Sequence, residues 1–122
     1  MKIRIKNNSI RYRLTRTDVN TLAESGYLED QVNFPGNTFT YALLLTDDQQ
    51  LASAFKESTI TLFMPKTMLK ALAETDKVGF EHTANNICLL VEKDFTCLDN
   101  VSEDQSDNYP NPLAEKVYAQ SN

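Results

Sequence analysis

The chain has 122 residues, the usual length of one domain, and at 41% hydrophobic with six Phe and five Tyr it carries enough apolar surface for a core. Three Gly and four Pro are too few for a disordered or fibrous chain, and no run of about 18 apolar residues is present to span a membrane as a helix. A net charge of −5 argues against a general nucleic-acid binder.

The first residues, Met1-Lys2-Ile3-Arg4-Ile5-Lys6, alternate apolar and charged side chains, which is a strand pattern and not the continuous apolar stretch of a secretory leader; a cytoplasmic protein is expected. Ile3, Ile5, Ile10, Tyr12 and Leu14 share one face of a hairpin that turns at Asn7-Asn8, since Asn tolerates positive φ. Thr15 is placed to cap a helix, with Asp18 as a capping-box partner. Val19, Leu22 and Ala23 form its apolar stripe, and Gly26 stops it. Strands over Leu28–Phe34 and Thr38–Leu45 follow, turning at Pro35-Gly36-Asn37.

The same signals then recur. With a shift of 50 residues, Ile5–Ile10 lies over Phe55–Ile60, Leu14 over Met64, and Leu22-Ala23-Glu24 over an identical Leu72-Ala73-Glu74. Leu51–Phe55 and Thr59–Phe63 read as the second hairpin, with a short helix over Gln49–Phe55 as the rival. Pro65 starts the second helix, whose stripe is Leu69, Leu72 and Ala73. Strands over Lys77–His82 and Ile87–Phe95 complete the copy, with a turn at Asn85-Asn86. The expected fold is α+β: an internally duplicated ββαββ unit of eight strands and two helices. Its sheet should be mainly antiparallel and curl toward a barrel, with the helices over an end or one face. A single domain over 1–112 is expected, with halves at about 1–45 and 51–95, an extended segment over 96–112 and a frayed tail over 113–122.

The first hairpin is the most informative feature. A two-residue turn pairs Lys6 with Ser9, Arg4 with Arg11 and Lys2 with Arg13, so Lys2, Arg4, Lys6, Arg11 and Arg13 share the face opposite the apolar one. Like charges directly opposed destabilise a sheet, so a negative partner is expected. The second copy has Ala52, Ala54, Thr61 and Phe63 at the equivalent positions, so the fold itself does not require the charge. The favoured source of counter-charge is internal: Asp94, Asp99, Glu103, Asp104 and Asp107, a stretch without a base, folding back over the hairpin. A ligand anion such as a phosphate, a nucleotide or an acidic peptide is the second source, and a plain solvated face is the third.

Other constellations are weaker. Asp99–Asp104 resembles a calcium loop but lacks Gly at the sixth position and Glu at the twelfth, which excludes an EF-hand. One His and two separated Cys are a poor zinc set, and His82 reads as a strand-end surface residue. A Cys97 nucleophile with His82 as base has no spacing to support it. Cys88 lies in an apolar run and is expected in the core, with Cys97 more accessible. No metal or cofactor is expected. Tyr109 precedes Pro110-Asn111-Pro112 and should anchor that segment to the body.

Two end motifs carry a resemblance. They are Met1–Lys6 with Asn8–Arg11 and Arg13-Leu14-Thr15, and Leu90–Phe95 with Cys97-Leu98, Glu103-Asp104, Asp107 and Pro110-Asn111-Pro112. In these the chain resembles a small bacterial family whose function is uncharacterised. The resemblance implies that both ends belong to the domain, and it implies no activity. The expected role is a non-catalytic binding or interaction module with a basic hairpin face, taking a small anion or an acidic protein partner. The alternative is a small enzyme acting on a phosphorylated or otherwise anionic substrate, with Arg4, Arg11 and Arg13 binding the anion and an Asp or Cys97 supplying the chemistry.

Overall fold

A computed structural model describes residues 1–95 and 106–110. The elements run in the order β1 (Lys2–Lys6), β2 (Ser9–Leu14), α1 (Arg16–Ser25), β3 (Tyr27–Phe34), β4 (Asn37–Thr46), β5 (Ala52–Lys56), β6 (Thr59–Pro65), α2 (Lys66–Glu74), β7 (Gly79–Ala84) and β8 (Ile87–Lys93). Ala52–Lys56 is a strand, so the rival helix there is not formed, and β7 begins two residues later than Lys77.

The strands form two four-stranded sheets, ordered β1-β2-β8-β7 and β3-β4-β6-β5. Each sheet takes the first hairpin of one half and the second hairpin of the other. In each, the two hairpins meet through a parallel central pair: Ser9 faces Cys88 in the first sheet as Thr59 faces Thr40 in the second. The fold is thus α+β with a duplicated ββαββ unit. The expected curl into a barrel does not occur. The sheets pack face to face, and side chains from both inner faces fill the space between them. Tyr12 of β2 meets Tyr41 of β4 edge-on at 6.4 Å, and its hydroxyl donates to the Ile60 carbonyl of β6 at 3.2 Å. Burial pushes that phenol well above its ordinary pKa, so it stays a neutral donor.

Both helices leave from the same end of the sandwich and touch each other there. The Thr15 hydroxyl accepts from the Asp18 backbone N–H while the Asp18 carboxylate accepts from the Thr15 N–H, a complete capping box. Gly26 at φ 76° closes α1, donating its N–H to the Leu22 carbonyl at 2.8 Å. Val19 and Leu22 of α1 and Leu69 and Leu72 of α2 join Tyr12, Leu14, Leu43, Leu51, Leu62, Met64, Leu89 and Val91 in one core. Ala23 and Ala73, expected in the helix stripes, are exposed and line a groove between the helices. Of the described residues, no helix is long and apolar enough to cross a membrane.

Candidate functional site

Inward placement of Ile3, Ile5, Ile10 and Tyr12 forces the alternate residues of β1 and β2 to the outer face of the first sheet. The observed register pairs Lys2 with Arg13, Arg4 with Arg11 and Lys6 with Ser9, as the two-residue turn requires. All five bases therefore share one surface.

Their partners come from unequal sources. Arg11 and Arg13 both direct Nε at the same oxygen of Glu92, at 3.4 and 3.3 Å. Glu92 is on β8, the parallel neighbour of β2, where it lies directly across from Arg13. Lys2 Nζ lies 3.1 Å from Oδ2 of Asp94, a residue only 4% exposed, and that oxygen receives no hydrogen bond among the described residues. Arg4 and Lys6 are exposed and have no carboxylate within ion-pairing distance among the described residues. Together with Ser9 and Arg11 they line a recess of about 200 Å³.

Asp107 lies at the start of α1 and not over the hairpin. Its carboxylate accepts from the Thr17 hydroxyl at 3.0 Å and its carbonyl from the Arg16 N–H at 3.2 Å. Hydrogen bonding by Thr15, then by Thr17, and the charge of Arg16 hold the acid below its ordinary pKa of 3.8. A depressed folded pKa means that this contribution is present above the ordinary value and is lost as pH falls through the lowered one. Asp107→Asn is therefore expected to loosen the segment at neutral pH as acid does in the parent chain. The ring resonances of Tyr109 report this, and a variant unchanged in them would remove Asp107 as an anchor.

Tyr109 itself packs edge-on against Phe95 at 6.2 Å and lies between two cations, with Lys93 Nζ 4.9 Å and the Arg16 guanidinium 5.9 Å from its ring centre. Its N–H donates to the Asp94 carbonyl at 2.9 Å, so this segment is tied beside β8. The remaining acids expected near the hairpin, Asp99, Glu103 and Asp104, lie outside the described residues, as do Cys97, Asn111, Pro112 and the tail over 113–122.

Two side chains differ from expectation. Cys88 is not in the core: Leu89 and Val91 take the inward row of β8, so Cys88 stands on the outer face, half-buried, with Sγ donating to Glu81 Oε1 at 3.2 Å. His82 faces Leu89 across β7 and β8, which puts it on the inward row and half-buried. Among the described residues no group of three or more His, Cys, Asp or Glu is placed to hold a metal ion.

Compared with known protein families, residues 1–113 match a family of unknown function, DUF7009. The chain belongs to this family. No curated protein and no solved structure matches it. Glu92 is thus placed at the site by geometry alone. Its sequence signal was hidden, because Ile87–Val91 is a continuous apolar run whose facing cannot be taken from alternation.

Proposed function

We propose that this member of the family is a non-catalytic module that binds a small oxyanion, such as phosphate, in the recess on the outer face of its first sheet. The observation that carries the reading is the state of Arg4 and Lys6. Their neighbours Lys2, Arg11 and Arg13 lie beside Asp94 or Glu92, while these two line a concave surface with no carboxylate partner among the described residues. A guanidinium, an ammonium and the Ser9 hydroxyl on one concave surface offer donors and charge to an oxyanion. Glu92, the carboxylate beside Arg11, is engaged by two arginines, which suits a structural counter-ion better than a general base. This favours binding over catalysis.

Titration of the full-length protein with inorganic phosphate at constant ionic strength, followed by NMR or calorimetry, tests the reading. Arg4→Glu is expected to weaken phosphate binding by at least about tenfold, equivalent to ~1.4 kcal/mol. Lys56→Glu, at the position equivalent to Lys6 in the other half, is expected to leave it unchanged. Equal loss in both variants would reduce the effect to net charge, and no binding by the parent chain would end the proposal.

A further inference from the structure

The end of the sandwich opposite the helices is open. There the inner faces of the two sheets diverge around a cleft of about 360 Å³ lined chiefly by Ile5, Ile10, Phe39, Phe55, Ile60 and Ile87. The 50-residue repeat makes Phe55 the counterpart of Ile5 and Ile60 that of Ile10, so both halves contribute to it. Phe55 is 73% and Ile5 55% exposed, although the core beneath them is closed and its largest side chains are fully buried. Exposed apolar side chains grouped around a concavity of this size are the usual form of a small-molecule site, not of a stray surface residue.

The charge around the mouth is lopsided. On one side the turn is Asn7-Asn8, and Lys6 and Arg4 precede it on edge strand β1. On the other the turn is Glu57-Ser58, so Lys56 has an acid beside it. Lys6 and Arg4 stand on the outer face of edge strand β1, so a group leaving the cleft reaches them by rounding the strand's free edge. We propose that the cleft takes the apolar chain of a free single-chain amphiphile whose phosphate or carboxylate head rests on Lys6 and Arg4. The apolar lining selects the chain, and the lopsided charge selects an anionic head on the side of the first hairpin. The head-group part rests on the reading of the basic recess given above; the chain part rests on the cleft alone.

Calorimetry of the full-length protein with decyl phosphate below its micelle concentration, beside decanol and inorganic phosphate, separates the two. Decyl phosphate is expected to bind at least about tenfold more tightly than either of the other ligands. Phe55→Asp, at a side chain too exposed to be needed for folding, is expected to abolish that advantage and leave inorganic phosphate binding intact. Decyl phosphate binding no better than inorganic phosphate would sink the cleft and spare the recess. Decanol and decyl phosphate binding equally, with no phosphate binding, would sink the anionic head and the recess together. A change from dimer to monomer in Phe55→Asp, measured by sedimentation, would overturn the proposal by showing the cleft covered by a second copy.

Discussion

Leu22→Ala and Leu72→Ala are each expected to lower the unfolding free energy by about 2–5 kcal/mol, the range for removing a leucine side chain from a closed core. Leu22 is fully buried and Leu72 is 1% exposed. Each sits on the inward face of its helix, α1 or α2, at equivalent positions of the repeat, and each belongs to the one core that joins the two sheets. The helices touch, so the double variant should depart from the sum of the single ones. Chemical denaturation measures both. A neutral result in either variant would detach that helix from the core and with it the equivalence of the halves.

Gly79→Ala is expected to cost about 1–3 kcal/mol, the scale of an overpacked interior, although only one methyl group is added. Gly79 opens β7 directly across from Glu92. A Cβ there would lie 2.6 Å from both the Glu92 Cβ and the Val91 carbonyl oxygen, and 2.9 Å from the Glu92 Cα. Two of these atoms are backbone and the third is bonded to it, so no rotamer change relieves the contact and the β7–β8 pair must part. Glu92 is the shared partner of Arg11 and Arg13, so the strain reaches the basic face. The variant should therefore melt earlier and also change its phosphate affinity. Glu92→Gln, which keeps the shape and removes the charge, should raise that affinity with a smaller loss of stability. A Gly79→Ala protein as stable as the parent would mean that the two strands are not as close as described.

The parts of the fold that depend on neighbours in sequence were legible. The hairpin register from Lys2 to Arg13, the Thr15–Asp18 capping box, the Gly26 stop and the repeat of Leu22 at Leu72 all follow from local rules, and each is found. The parts that depend on which hairpin meets which were not. Turn chemistry pairs β1 with β2 but carries no information that β2 lies parallel to β8, and so none that Glu92 stands across from Arg13. The same gap misplaced Cys88: an unbroken apolar run is compatible with either facing, and only the inward row of Leu89 and Val91 decides between them. The need for a counter-charge on the hairpin could be argued from like-charge repulsion, and Asp94, which lies against Lys2, was among the acids named for it; Glu92, which lies against Arg11 and Arg13, was not.

The exchange of hairpins leaves each half incomplete without the other. Neither ββαββ unit contains a complete sheet: β2 of the first finds its parallel partner in β8 of the second, and β4 finds its own in β6. A lone unit would leave both inner strands with an open edge and its apolar faces uncovered, and the only chain able to supply the missing strands would be another copy of itself. Two identical units completing each other in this way would form a symmetric dimer with identical surfaces on its two sheets. Two units within one chain are not bound to identity. Here one hairpin carries Lys2, Arg4, Arg11 and Arg13 where its twin carries Ala52, Ala54, Thr61 and Phe63, a difference that two identical subunits could not show.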